Sequence, residues 1–221
     1  MKKVFGFVAV AAALLVAGNA NAQLGVNVGY APQTYTEVYT TNNNSTTSTL
    51  ETNGFFAGVN YNMPLSGDLC LSVGAQVRYN TKTEESNSNI AGLASASVKN
   101  EYSQMLLDIP VLLNYGIELN RDLKVAPFIG ANISYGLSGN LHTTASGSVV
   151  GVGGTTEGDT PFYGDNGNWK NLELGGTIGV CISFTDFRLF GGYNMGLLNI
   201  DKRDNYSTKG SNLFVGIGYA L

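Results

Sequence analysis

The sequence has little charge and few residues that form covalent or metal cross-links. Only 13 % of its 221 residues are charged, and it contains two cysteines and one histidine. Two cysteines are too few for a disulfide-stapled scaffold. The net charge of −4 argues against a nucleic-acid-binding protein, because such proteins present a basic surface. Beyond residue 22, no apolar run approaches the roughly 20 residues that a membrane-spanning helix needs.

The first 22 residues have the three parts of a secretory signal peptide. A basic start precedes an apolar run over residues 4–16, and the A-N-A at 20–22 fits a cleavage site. The run is too short to span a membrane as a helix. We therefore predict that residues 1–22 are removed and that residues 23–221 form one domain.

The chain is rich in a two-residue alternation. From Ser211 to Leu221 it reads S-N-L-F-V-G-I-G-Y-A-L, in which bulky apolar residues alternate with mostly small ones. Successive side chains of a strand point to opposite faces, so this segment is a strand with one bulky and one small face. The same alternation predicts seven further strands, at 24–30, 55–61, 69–80, 101–117, 125–138, 172–184 and 187–200.

The connections between these strands alternate between long and short. The long ones are polar loops at 40–49, 81–98, 139–169 and 201–210. An even strand number, short periplasmic turns and long extracellular loops are typical of bacterial outer-membrane barrels. We expect envelope protein partners, if the protein has any, to bind these loops.

The two faces of the strands differ in volume, and this difference predicts their orientation. An eight-stranded barrel has an interior just wide enough for side chains to fill. Glycine, asparagine, serine and threonine on the small face fit that interior, whereas the bulky face would overfill it. We therefore predict an all-β, eight-stranded antiparallel up-and-down transmembrane β-barrel, monomeric, with its bulky face against outer-membrane lipid. Tyrosines near strand ends are assigned to an interfacial girdle: Tyr30, Tyr61, Tyr79, Tyr115 and Tyr135.

The alternative is a secreted soluble β-barrel that carries a ligand. It requires the opposite orientation, with Leu71, Val73, Ile129 and Ile217 converging in the interior. The direction of these side chains therefore decides between the two architectures.

Three segments carry a resemblance to a known family. They are L-D-I-P-V-L-L-N-Y at 107–115, A-P-F-I-G-A-N-I-S-Y at 126–135 and Y-N-M-G-L-L-N-I at 193–200. These segments resemble the PorT-like outer-membrane β-barrel domains of Bacteroidetes. The resemblance covers residues 23–221 and implies the architecture and the location in the outer membrane, but no particular activity.

Polar residues on the small face predict a network in the lumen. Arg78, Asp108 and Glu173 are the charged residues of that face, and Gln76 lies beside them in the pattern. A buried charge must be paired, so we predict an ion-pair network centred on Arg78. Two interpretations stay open, a polar filling of a closed lumen and a path for protons or ions.

Cys70 and Cys181 also fall on the small face, each near a short turn. Strands about 4.8 Å apart and tilted by about 45° give an eight-stranded ring a radius of roughly 8–9 Å. The strands that carry the two cysteines are then on the order of 15 Å apart, beyond the roughly 7 Å limit for a disulfide. We predict two free thiols.

The sequence does not single out a catalytic site. His142 shares the longest loop with serines and acids, namely Ser146, Ser148, Glu157 and Asp159, but no spacing defines a triad. Trp169, at the end of that loop, is assigned to the membrane interface. We predict a non-enzymatic barrel with a structural, surface or accessory role in a secretion or uptake assembly, without a cofactor, metal or nucleic acid. A lipid-modifying enzyme is the alternative.

Overall fold

A computed structural model describes residues 23–41, 44–90, 94–149 and 152–221. The predicted signal peptide, residues 1–22, lies outside the described residues. No helix in the described ranges is long and apolar enough to cross a membrane. The strands in these ranges are β1 (Gln23–Tyr30), β2 (Gln33–Thr41), β3 (Asn44–Pro64), β4 (Leu69–Ile90), β5 (Ala94–Tyr115), β6 (Ile117–Glu118), β7 (Leu123–Val149), β8 (Val152–Pro161), β9 (Leu172–Phe184), β10 (Phe187–Gly196) and β11 (Tyr206–Ala220).

Eight of these strands close into a ring. The antiparallel order is β1-β11-β10-β9-β7-β5-β4-β3, and β3 pairs with β1 to complete the circle. Strand β2 continues β1 between the same two neighbours, after a break at Ala31 and Pro32 where proline lacks an N–H donor. Strands β6 and β8 pair only with β7. The predicted eight-stranded antiparallel barrel is confirmed.

The bulky face points outwards. Ile129, Leu213 and Ile217 are 61 %, 65 % and 60 % exposed, whereas Arg78 and Asp108 of the other face are each 2 % exposed. The predicted orientation is therefore right, and the soluble carrier with a bulky interior is excluded.

The tyrosines assigned to the interfacial girdle divide into two groups. Tyr30, Tyr79 and Tyr115 are exposed and Tyr135 is half-buried. Tyr61 departs from the expectation, since it is 8 % exposed.

Most residues of the predicted long loops belong to strands instead. Residues 81–90 and 94–98 extend β4 and β5, residues 139–149 and 152–161 form a β7–β8 hairpin, and β2 and β3 enclose the first segment. Within the described residues, the non-strand parts of these segments are residues 162–169, which follow β8, and the part of the last segment before Tyr206. The prediction of loops from polar composition is wrong for these residues, because threonine favours strands and each arm of a hairpin satisfies the backbone hydrogen bonds of the other.

A β-bulge redirects the upper half of β7. The register shifts between Met105 and Leu106, which pair with Ser138 and Gly136, so Leu137 is the additional residue. Pro110 pairs with Asn132 on β7, but on its other side the β4–β5 pairing is interrupted between Val73–Val111 and Gln76–Asp108, where proline has no N–H to donate. One extra residue in a strand changes which face its later side chains occupy.

We expect Ile129→Arg to destabilise the barrel by about 2–4 kcal/mol if the exposed apolar band contacts acyl chains, because arginine is costly at the bilayer midplane. Urea-induced unfolding from lipid vesicles measures this cost. Ala145→Arg is the matched control, on the exposed hairpin extension of the same strand. Equal costs at the two positions would contradict a lipid-facing band.

Candidate functional site in the barrel lumen

Four phenylalanines project into the lumen, each opposite a glycine on the neighbouring strand. The directly paired positions are Phe56 with Gly29, Phe190 with Gly216, Phe128 with Gly179 and Phe214 with Gly192. A Cβ atom added to any of these glycines would lie 2.4–2.8 Å from the terminal ring carbon of its partner. The glycines of the small face therefore provide the space that the rings occupy.

The four rings form a continuous row, which we call the phenylalanine row. Centroid distances are 6.1 Å from Phe56 to Phe190, 6.5 Å from Phe190 to Phe214 and 6.3 Å from Phe214 to Phe128. The sequence carries a signal for this row, because phenylalanine is unusually large for the small face of the strands. Its glycine partners depend on the strand register, which the alternation pattern does not contain.

Arg78 forms a buried ion pair with Asp108 across β4 and β5. Its Nε donates to Oδ2 at 2.9 Å, and Nη2 donates to Oδ1 at 3.2 Å. The Nη1 group of Arg78 donates to the side-chain oxygen of Gln33, which is also buried. Sequence reasoning placed Arg78 and Asp108 on one face but missed Gln33, because β2 reaches Arg78 only through the folding of the ring.

A layer of hydrogen bonds lies next to the ion pair. The Gln104 amide nitrogen donates to the Tyr35 hydroxyl at 2.8 Å and to the Tyr163 hydroxyl. Asn80 donates to the Gln104 oxygen at 2.8 Å. Tyr35 donates to Glu173 at 3.3 Å, so Glu173 joins the network through tyrosine. Among the predicted network residues, Gln76 lies apart from this layer and lines a cavity described below.

One end of the lumen is closed by buried aromatic and aliphatic side chains, which we call the plug. It consists of Tyr35, Tyr163, Trp169 and Ile200. The ring centroid of Trp169 lies 4.6 Å from that of Tyr35 and 4.8 Å from that of Phe162. The assignment of Trp169 to the membrane interface is wrong: it is only 9 % exposed, because its loop folds back over the lumen.

Backbone and side-chain contacts hold the loops of the plug in place. The Trp169 amide donates to the Phe162 carbonyl at 2.8 Å, and Lys170 donates to the Ile200 carbonyl at 2.7 Å. Beside them, Asp201 accepts hydrogen bonds from Thr208 at 2.9 Å and from Arg203 at 2.7 Å. The two loops are therefore fixed to each other and to β11.

The opposite end of the lumen holds a cavity of about 450 Å³, which we call the cavity. Arg78 and Asp108 lie at its inner end, and residues of the short turns, such as Asp68 and Asp122, lie at its mouth. It therefore opens at the short-turn end and ends blindly below the plug. The plug closes the long-loop half of the lumen, whereas the short-turn half keeps an open space between its side chains.

Both cysteines line this cavity. Cys70 and Cys181 are half-buried and carry free thiols. The Cys70 thiol donates weakly to the Leu71 carbonyl at 3.8 Å, and Cys181 lies 3.7 Å from the Ser183 hydroxyl. In the ranges that the structure covers, no group of three or more His, Cys, Asp or Glu side chains could hold a metal ion.

His142 lies on the β7–β8 hairpin, outside the ring. Its Nδ1 is 2.8 Å from an Asp159 oxygen, and its Nε2 is 3.4 Å from the Thr144 hydroxyl. Asn140 donates to the same Asp159 oxygen at 2.9 Å. The hydrogen bond with Asp159 raises the pKa of His142, and it lowers the pKa of Asp159. The serines at 146 and 148 take no part in this group.

Comparison with known families identifies one match. The profile of a family described as outer membrane protein beta-barrel domain matches residues 17–202. Comparison by sequence with characterised proteins finds no match.

Two solved structures illustrate the similarity to known barrels. Ail, the attachment invasion locus protein of Yersinia pestis, is 14 % identical over 90 % of this chain and 99 % of its own, with a TM-score of 0.37. Neisserial surface protein A is 16 % identical over 91 % of this chain and 99 % of its own, with a TM-score of 0.41. These values are too low to carry an argument about function.

We expect Arg78→Met to destabilise the protein by about 3–5 kcal/mol, because it leaves Asp108 buried without a partner. The double variant Arg78→Met with Asp108→Leu regains most of this loss, since it removes both charges. Urea unfolding of the three proteins in lipid vesicles provides the comparison. A double variant as unstable as the single one would show that the cost is not that of an unpaired charge.

The Asp159→Asn variant should lower the pKa of His142 towards its ordinary value of about 6.5. Because folding raises the pKa of His142, the pair stabilises the hairpin below about pH 6.5 and loses that contribution as the pH rises through the folded value. NMR titration of this single histidine measures the change. A pKa that stays the same in Asp159→Asn would rule out the pairing in solution.

Proposed function

We propose that this chain, which belongs to the outer membrane protein β-barrel domain family and lies in the outer membrane, is a closed barrel without enzymatic activity. Its role is structural or at the cell surface, or that of an accessory subunit in a secretion or uptake assembly. The closure of the lumen by the plug and the Arg78–Asp108 layer is the observation that carries this proposal.

The lengths of the connections give the barrel its orientation. Short turns face the periplasm and long loops face outside in this class of barrels. The plug then lies at the extracellular end and the cavity opens to the periplasm. A path for ions would have to cross Trp169, Tyr163 and the layer around Gln104, all of which are buried and in contact. The polar filling is therefore favoured over the ion path.

The extracellular hairpins support a surface role. The described parts of the segments 40–49, 81–98 and 139–161 extend beyond the ring and are rich in exposed threonine, serine and asparagine. Opposite charges face each other across these hairpins, for example Glu85 and Lys99 on β4 and β5. Such paired strands present a fixed polar surface to an envelope partner. The ring has no free strand edge, which favours a monomeric barrel whose outer wall is surrounded by lipid.

Within the family, we propose the PorT-like branch of Bacteroidetes. The segments at 107–115, 126–135 and 193–200 support this placement. The predicted signal peptide at 1–22 fits export to the envelope.

A lipid-modifying enzyme is the weaker candidate. Asp159, His142 and Thr144 lie in the order of a catalytic triad. However, the 3.4 Å from Thr144 to His142 exceeds the 2.6–3.2 Å that is usual between a nucleophile and its base. The group also lies on an open hairpin surface, where water is not excluded from the reaction.

We expect no stepwise conductance from the wild-type protein in planar lipid bilayers. Tyr163→Ala combined with Trp169→Ala should produce openings, because it removes two side chains of the plug. Tyr79→Ala is the matched control, since it removes an exposed aromatic ring on the outside of the barrel. Discrete openings of constant size in the wild-type protein would contradict the closed barrel.

A further inference from the structure

Beyond the proposed surface or accessory role, we propose that the periplasm-facing cavity binds a neutral amphipathic small molecule. The ligand has a flat or aromatic body and carries hydrogen-bonding groups. The cavity of about 450 Å³ falls within the roughly 300–1,000 Å³ of small-molecule sites. Its blind inner end makes it a pocket and not a passage.

One wall of the cavity is aromatic and fixed in position. All four members of the phenylalanine row line it. Each ring is held over a glycine of the adjacent strand, which leaves it little freedom to move. Aromatic rings in such a row present faces and edges that favour a flat apolar partner. The row therefore supplies the apolar contact of a binding site.

The cavity is also lined by polar side chains, which carry amide and hydroxyl groups. Asn114 donates to Ser72 at 2.8 Å, and Asn27 donates to Asn60 at 3.3 Å. Further amide side chains, those of Gln23, Asn62 and Gln76, line the same cavity. A few polar groups in a mostly apolar pocket fix the orientation of a bound small molecule, so the ligand should carry hydrogen-bonding groups.

The charges that line the cavity cancel, which argues for a neutral ligand. At the inner end, Arg78 is neutralised by Asp108. The mouth carries three acidic and three basic residues: Asp68, Glu118, Asp122, Arg121, Lys124 and Arg188. An ionic ligand would find no excess of the opposite charge and would have to lose its hydration. A neutral molecule avoids this cost.

Two related dyes test the proposal on the protein in lipid nanodiscs. N-phenyl-1-naphthylamine is neutral, and 8-anilinonaphthalene-1-sulfonate has the same aromatic body with a sulfonate. We expect saturable fluorescence at one neutral dye per barrel and at least about tenfold weaker binding of the anionic dye, a factor of ten being about 1.4 kcal/mol. Nanodiscs without protein give the background from lipid.

A cavity-filling variant and its matched control locate the binding site. Ala126 lines the cavity, and Ala131 lies on the outward face of the same strand. Ala126→Trp should weaken binding of the neutral dye at least about tenfold, whereas Ala131→Trp should leave it unchanged. Unchanged binding in Ala126→Trp, non-saturable binding to the wild type, or equal binding of both dyes would each overturn the proposal.

The free thiols provide a readout on the wild-type protein, in case Ala126→Trp fails to fold. Cys181 pairs directly with Ala126 and lines the cavity together with Cys70. Saturating neutral dye should slow the alkylation of both thiols by N-ethylmaleimide at least severalfold. Alkylation at the same rate with and without dye would show that the dye binds elsewhere. Neither result depends on whether the barrel conducts ions.

Discussion

An eight-stranded barrel has a narrow interior that its own side chains nearly fill, with room for at most a small ligand. In this barrel, large inward-pointing phenylalanines are placed opposite glycines. Phe56 occupies the space over Gly29, and Phe190 occupies the space over Gly216. A second large side chain at either glycine would collide with the ring. The abundance of glycine, 29 residues in all, is thus in part a packing requirement of the narrow lumen.

The same constraint divides the lumen along its axis. At the long-loop end, the connections can fold back, and Tyr163, Trp169 and Ile200 enter the opening. At the short-turn end, the connections are too short to do so. The turn between β9 and β10, for example, contains only Thr185 and Asp186. The cavity is therefore the part of the lumen that no loop can reach, and the inequality of the connections produces a pocket open on one side.

The two-residue alternation was sufficient to predict the eight-stranded barrel and to predict which strand face points outwards, because it shows directly which side chains share a face. It was insufficient wherever a contact depends on register or on loop folding. Gln33 reaches Arg78, and Glu173 meets Tyr35, only after the ring closes. Trp169 looked like an interface residue because nothing local shows its loop turning inwards. Polar hairpins were mistaken for loops because composition says nothing about pairing.

The Arg78–Asp108 pair is better explained by its role in fixing neighbouring strands than by a contribution to the stability of the fold. Replacing a buried ion pair with apolar residues is often neutral or stabilising, so its presence is weak evidence for added stability. The bidentate geometry, however, fixes β4 against β5, and the third bond from Arg78 reaches Gln33 on β2, beyond the intervening β3. One guanidinium thus ties three strands at the level where the plug ends and the cavity begins. Because Asp108 neutralises Arg78, the guanidinium separates the plug from the cavity without attracting an ion into either half of the lumen.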